Sequence, residues 1–251
     1  MLGLAEAADR NLSGAWSLLG RAAGFAVTRV GTVTIASSGL PIAFFNGAFS
    51  AGVANDPEMT VRDTVAFYIE RNVPFLLWAR TDEALLQAGR AAGLRDAGGP
   101  PLMILPVIEA IPEPPQGLTI RIASTVGDLL DHGNVVAGGF GMAIDVARAI
   151  LGEGLLADPD VAIAIGYVQD MPVTTALLAR TGDTAGVYNV ATLPDHRGSG
   201  FGEAATWAVI AEGAHRGCNH SVLQSSDAGY PVYKRMGFVD VGRYVQLEGP
   251  P

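Results

Sequence analysis

The sequence predicts an α/β protein built from two similar halves. Short β-type runs alternate with helical segments along all 251 residues, and the closing stretches of the two halves read alike. Between them lies IPEPPQG (111–117), three prolines and one glycine in seven residues and the strongest linker signal in the chain. The boundary is drawn there, giving a first half 1–113 and a second half 114–251. With 49% hydrophobic and 16% charged residues, the chain has enough apolar material for a buried core.

The first helix is read from LAEAADRNLSGAWSLLGRAAG, where Leu12, Ala15, Trp16 and Leu19 recur at helical spacing and Gly24 ends the run. FAVTRV, TVTIAS and IAFFNGAFS follow as β-type runs between glycine turns. Thr60 is the expected cap of TVRDTVAFYIERN, with Asp63 completing a capping box. PFLLWAR is a strand, Thr81 opens a helix, and GPPLMIL is a strand. After the linker come the strand LTIRIAS, two helices over 125–156, and the strands VAIAIGYVQ, MPVTTALLAR and GVYNVATL. GEAATWAVIAEGAHRG is a helix, HSVLQSS a strand, Tyr230 to Met236 a helix and FVDVGRYVQLE a single last strand. FLLWAR, helix, AAGLRDAGGPPLMIL in the first half thus matches SVLQSS, helix, RMGFVDVGRYVQL in the second, which is the case for a duplication.

A net charge of −9 disfavours binding of nucleic acid through a basic surface, because phosphate neutralisation needs clustered Lys and Arg. The same charge serves solubility, or an acidic cleft that attracts a cationic amine. The most apolar stretch, 135–151, carries Asp145 and Arg148 and is shorter than the ~20 apolar residues of a membrane helix. No secretory signal opens the sequence, and a lone cysteine, Cys218, excludes an internal disulfide, so a cytoplasmic location is expected. His196, His215 and His220 fall on a loop, a helix and a strand without metal-ligand spacing, and no metal is expected.

The chemistry concentrates in LPDHRGSGFGEA (193–204), where a strand runs through a glycine-rich turn into a helix. Such a turn aims backbone N–H groups and the positive helix end at one point, which suits a phosphate. Glu203 stands where the dinucleotide fingerprint GxGxxG needs its last glycine, and the GK of a Walker loop is missing. RxxGxG remains, formed by Arg197, Gly200 and Gly202. Together with SSDAGYPVYKRMGF (225–238) it resembles the GCN5-related N-acetyltransferase (GNAT) superfamily, in which RGxGxG holds the pyrophosphate of acyl-CoA and a later tyrosine helix ends in GF. The resemblance covers 117–248, and more loosely the first half, which looks like a degenerate copy without the loop.

This resemblance implies a mixed, mainly antiparallel central sheet flanked by helices, twice over in one chain, and acetyl-CoA as co-substrate. It implies that Val190, Ala191 and Thr192 meet the pantetheine arm, while Gly198, Ser199, Gly200, Phe201, Gly202 and Glu203 hold the pyrophosphate with Arg197 adding charge. Ser226 stands where the family often has a cofactor-contacting asparagine. Tyr233 matches the tyrosine that protonates the departing thiolate. The glutamate that many relatives use as general base has no counterpart, and His220 and Tyr188 are the alternatives, acting through a water. Asn189, and Asn46 in the matching FFNG of the first half, are candidates for the acceptor pocket. The expected activity is acetyl transfer from acetyl-CoA to a small-molecule or peptide amine by direct attack. The other reading is a non-catalytic acyl-CoA binding or sensing protein, favoured by the missing glutamate.

Overall fold

A computed structural model describes residues 2–250. In chain order its elements are α1 (Leu2–Ala22), β1 (Ala26–Val30), β2 (Val33–Ser37), β3 (Asn46–Ser50), α2 (Pro57–Arg71), β4 (Phe75–Ala79), α3 (Glu83–Ala91), β5 (Arg95–Asp96) and β6 (Pro101–Leu105). Then follow β7 (Thr119–Ile122), α4 (Val126–Phe140), α5 (Ile144–Ala149), α6 (Gly154–Ala157), β8 (Val161–Val168), β9 (Met171–Thr181) and β10 (Thr184–Thr192). The chain closes with α7 (Phe201–His215), β11 (His220–Gln224), α8 (Tyr230–Arg235), β12 (Val239–Arg243) and β13 (Val245–Gly249). Two compact units result: one runs to Met103 and adds Gln224–Ser226 and the segment from Asp240, the other comprises Ile104–Leu223 and Asp227–Val239.

The first unit holds a sheet of order β1-β2-β3-β4-β13-β5. Strands β1 to β3 are an antiparallel meander, β3 runs parallel to β4, and β13 pairs antiparallel to β4 from Val245↔Ala79 to Gly249↔Phe75. Its core gathers Ile35, Phe75, Leu77, Leu85, Leu86 and Leu247 around Tyr68, which stacks on Phe75 at 4.3 Å and donates to Ala36 O at 3.1 Å. The second sheet has the order β12-β6-β11-β10-β9-β8-β7. Each sheet therefore includes a strand from the other side of the proline-rich segment, β13 in the first and β6 in the second.

Several local expectations are corrected by cap geometry. Helix α2 begins at Pro57 and not at Thr60, because the Asp56 carboxylate accepts from Met59 N at 2.9 Å and Pro57 is preset for a first helical position. Thr60 donates instead to Asp56 O inside the helix, and Asp63 pairs with Arg62. Helix α3 is capped by Asp82, not Thr81. The capping box of the chain is Thr125 with Asp128, at the start of α4. Residues 125–156 form three helices and not two: Gly141, at φ 67°, ends α4, and the chain leaves the helix again between α5 and α6. The last strand is two, β12 and β13, parted at Tyr244.

In the second unit β8, β9 and β10 form an antiparallel meander whose residues are buried almost without alternation. Helix cover on both faces is the reason: a Cβ on Gly213 of α7 would lie 2.8 Å from Ala185 Cβ, and one on Gly139 of α4 would lie 2.8 Å from Ala191 Cβ. His132, fully buried on α4, fixes that helix to the sheet through Nδ1, 2.7 Å from the Thr175 hydroxyl. The hydroxyl's own proton goes to Ala164 O at 2.8 Å, so Nδ1 carries the imidazole hydrogen and Nε2 is a bare acceptor without a partner.

Burial pushes the His132 pKa down to about 4. From pH 6.5 downward an imidazole of the unfolded chain takes up a proton that the folded state refuses until about pH 4. Stability therefore falls across that window, by roughly 3 kcal/mol in all. Chemical denaturation at pH 7 and pH 4.5 is expected to show a loss in the wild type that is much smaller in His132→Gln; equal losses would refute the assignment.

Candidate cofactor and active site

The site is built where two parallel strands part. Strands β10 and β11 pair only at Thr184↔His220, Ala185↔Ser221 and Gly186↔Val222, although β10 runs on to Thr192. On the other side, the register of β10 with β9 shifts between Tyr188↔Leu177 and Ala191↔Thr175. That shift is a β-bulge, and Asn189 within it takes φ 50°, a left-handed conformation that asparagine tolerates better than most residues. The bulge also turns the strand over. Ala185 and Ala191 are an even number of residues apart yet face α7 and α4 respectively, as an inserted residue requires. From Val187 to Thr192 the edge of β10 nearest β11 is left without a strand partner among the described residues.

Past Leu193 the chain makes a 3-10 turn over Pro194–His196, with Arg197 N donating to Pro194 O at 3.2 Å. Gly198 and Gly200 take φ 78° and 77°, which a side chain would oppose. Gly202 has a different reason: a Cβ there would lie 3.0 Å from Thr192 Oγ1, so glycine lets α7 start hard against the end of β10. No side chain caps α7. Ala204 N is the first of its amides with an acceptor, Gly200 O at 3.0 Å, and the N–H groups of Gly198, Ser199, Gly200, Phe201, Gly202 and Glu203 have none among the described residues. Six such amides in succession through a glycine turn into a helix start fit an anion of the pyrophosphate kind.

Arg197 behaves as a strut. Its Nε donates to Thr192 O at 3.2 Å and its Nη2 to Gly139 O at 2.6 Å, tying the loop to β10 and to the end of α4. Tyr233, 8% exposed on α8, contacts the Thr206 hydroxyl, which itself donates to Gly202 O at 2.8 Å. The phenol is thereby linked to the first turn of α7. Burial pushes its pKa up to about 12, against the pull of the Thr206 hydrogen bond, so it stays protonated at neutral pH.

His220 lies away from the loop along the strand. His220 starts β11 at the paired end of the strands, roughly 26 Å of strand away from Thr192. Its Nε2 is 2.8 Å from Thr184 Oγ1 and its Nδ1 is 2.6 Å from Asn219 Oδ1, with burial holding its pKa below the ordinary value against Asp183. Tyr188, half-buried beside the bulge, has its pKa pushed far up by desolvation. Thr192 Oγ1 lies 2.9 Å from Thr174 Oγ1, and Ala191 O accepts from the same threonine. Val190 is half-buried and Ser226 is exposed just after β11. Asn46 is fully buried in the first unit, where its amide donates to Leu40 O, Ile42 O and Pro74 O and accepts from Ser37 and Ser38. His132 escaped the sequence reading because one histidine among apolar helix residues carries no signal of its own. Among the described residues no group of three or more His, Cys, Asp or Glu could hold a metal, and no helix is long and apolar enough to cross a membrane.

Residues 145–238 match the acetyltransferase (GNAT) family. Along its length the fold is similar to a GCN5-related N-acetyltransferase from Kribbella flavida, at 21% identity and TM-score 0.70, covering 97% of this chain and 96% of that one. It is similar also to an acetyltransferase of the GNAT family from Novosphingobium aromaticivorans, 16% identical with TM-score 0.61 over 96% and 99% of the two chains. A tandem GNAT protein from the clavulanic acid biosynthesis pathway, 10% identical, aligns with TM-score 0.63 over 97% and 94%. No functionally curated protein matches the chain. At these identities the likeness establishes the fold, and the two sheets fit two GNAT-like halves.

The bulge makes a direct test available. Asn189→Gly is expected to be near neutral, whereas Asn189→Val, which resists positive φ, is expected to lose about 1–2 kcal/mol in thermal denaturation. A valine variant as stable as the glycine variant would mean that β10 does not need the left-handed residue.

Proposed function

We propose that the chain is an acyl-CoA-dependent N-acyltransferase, most specifically one that moves an acetyl group from acetyl-CoA to a primary amine by direct attack. The observation that carries this is the parting of β10 from β11 beside a helix start with its N–H groups unanswered. The family match and the fold support an N-acetyltransferase; the donor, the acceptor class and the residue roles are our assignment. In this reading the free edge of Val190–Thr192 hydrogen-bonds the amides of the pantetheine arm, and the Gly198–Glu203 amides hold the pyrophosphate.

The thioester supplies an activated acyl carbon. A neutral amine forms the new C–N bond there, the C–S bond breaks, and the sulfur departs with the electron pair. Tyr233, kept protonated by burial, donates to that sulfur. The amine's surplus proton leaves to water, since neither His220 nor any carboxylate has been tied to the slot. Asn189 remains our candidate for the acceptor side. The reaction is assigned to the cytoplasm, where the buried Cys218 stays reduced.

We take residues 1–113 as a half without a donor site and 114–251 as the transferase half. In the first half the helix that follows β3 is α2, and the Asp56 carboxylate accepts from its Met59 N at 2.9 Å. A carboxylate thus stands at the helix start where the second half presents bare amides. It repels an incoming phosphate as well as occupying a donor.

The alternative, an acyl-CoA binding or sensing protein, is favoured by the absence of an identified base. Calorimetry is expected to give one acetyl-CoA per chain, and a panel of amines to release free thiol from the bound thioester. No binding would end the cofactor reading, two sites would end the one-site reading, and binding without thiol release would favour the sensor. Tyr233→Phe is expected to lower turnover about 100-fold with little change in donor affinity; unchanged turnover would remove it as the acid.

A further inference from the structure

A CoA thioester carries more charge than its pyrophosphate. The ribose 3′-phosphate adds about −1.5 to −2 at neutral pH, and the loop over 197–203 has little to offer it. Ser199 and Phe201 are uncharged, Glu203 is negative, and the Arg197 guanidinium is committed to the carbonyl oxygens of Thr192 and Gly139. In a chain of net charge −9, a polyanion needs local cations to settle against this surface.

Two cations close the helix that packs against the start of α7, and one of them reaches the loop's Glu203. The last turn of α8 ends in Lys234 and Arg235, both exposed, and Lys234 is the one lysine in the sequence. α8 lies along the start of α7: Tyr233 meets Thr206, and one turn earlier on α7 Glu203 Oε2 lies 3.9 Å from Arg235 Nη2. The guanidinium therefore sits at the lip of the cradle, offsetting the carboxylate that would otherwise oppose an anion there. That ion pair is long and solvent-exposed, so it holds the arginine near the site at little cost to exchange. Arg235 Nη1 also donates to Pro231 O at 3.2 Å, which fixes its stem against its own helix. The ammonium of Lys234 is a mobile point charge on the same turn, a form of cation suited to a terminal phosphate.

Resting on the acyl-CoA reading above, we propose that Lys234 and Arg235 form the subsite for the 3′-phosphate of the donor, and that this chain therefore selects CoA thioesters over their 3′-dephospho counterparts. The pyrophosphate is met by backbone amides and the 3′-phosphate by side chains. Only the second contact is removable by side-chain substitution.

The test compares binding of acetyl-CoA and acetyl-3′-dephospho-CoA to the full chain by calorimetry. The wild type is expected to favour acetyl-CoA by about tenfold, the scale of one or two exposed charge-assisted contacts to phosphate. In Lys234→Gln/Arg235→Gln the ratio is expected to fall within twofold, and Lys234→Arg/Arg235→Lys is expected to restore most of it. A wild-type ratio near one with tight acetyl-CoA binding overturns this subsite and leaves the donor reading intact. A tenfold ratio that survives in the glutamine variant overturns it as well. Failure of both thioesters to bind overturns the donor reading and the subsite together. Should the double variant fail to fold, Lys234→Gln alone, at an exposed position, is expected to lower the ratio about threefold, and an unchanged ratio counts against the proposal.

Discussion

The site depends on β10 leaving β11 after three paired residues. Parallel strands do not separate without cause, since the partner N–H and C=O groups are then left to water or to a ligand. The cause is on the opposite edge, where the bulge between Tyr188 and Ala191 adds a residue against β9 and bends the strand. One inserted residue has three effects. It frees the edge from Val187 to Thr192, it turns Ala191 toward α4 so that Gly139 must be small, and it turns Thr192 toward α7 so that Gly202 must be small. The glycines at 139 and 202 are thus consequences of Asn189's left-handed backbone as much as requirements of a ligand.

The first half shows what the same element order does without these features. There β3 and β4 pair in parallel from Gly47↔Leu76 to Phe49↔Trp78, and the pairing covers three of the five residues of β3. The helix that follows is closed by Asp56, and Asp82 does the same for α3 while also accepting from Ala54 N at 2.8 Å. A helix start answered by its own carboxylate is stabilised, whereas one answered by nothing is available. On the proposed function, stability and binding use the same amides, divided between the two halves. The strand exchange gives a further constraint on this division, because a cut at 113/114 would take β13 from the first sheet and β6 from the second.

What the sequence disclosed follows the range of the forces involved. Alternating runs, glycine turns and RxxGxG are local, and they located nearly every strand and the loop itself. Helix starts were displaced by a few residues wherever two capping residues compete, as Asp56 with Thr60 and Asp82 with Thr81, since only the bond actually formed decides. The exchange of β13 and β6 was invisible because strand partners are chosen by tertiary packing, and FVDVGRYVQLE reads equally well as one strand closing its own half. The bulge left one trace, an asparagine amid β-branched and apolar residues at 189. Residue type and place in matching motifs point to His220 and Asn46, and their hydrogen bonds, which no local pattern shows, tie them into a strand end and a buried turn.

The groups whose ionisation the fold displaces bear on how the proposed reaction responds to pH. In the second unit the displacements run away from neutrality: the Tyr233 phenol is raised to about 12, Tyr188 is raised further, His132 is lowered to about 4, and His220 is lowered. Each is held in its uncharged form at neutral pH, and each by burial before anything else. A base with a tuned pKa near 7 is the opposite design, in which a charge partner or solvent outweighs burial; for His220 burial outweighs the pull of Asp183. For direct attack this arrangement is sufficient, provided that the amine arrives unprotonated. Sensitivity to pH between about 6 and 9 then belongs to the acceptor, whose own amine pKa sets the fraction able to attack. In the proposed reaction the protein's part is to supply a neutral acid, held in that form by burial, and a strand edge without a strand partner.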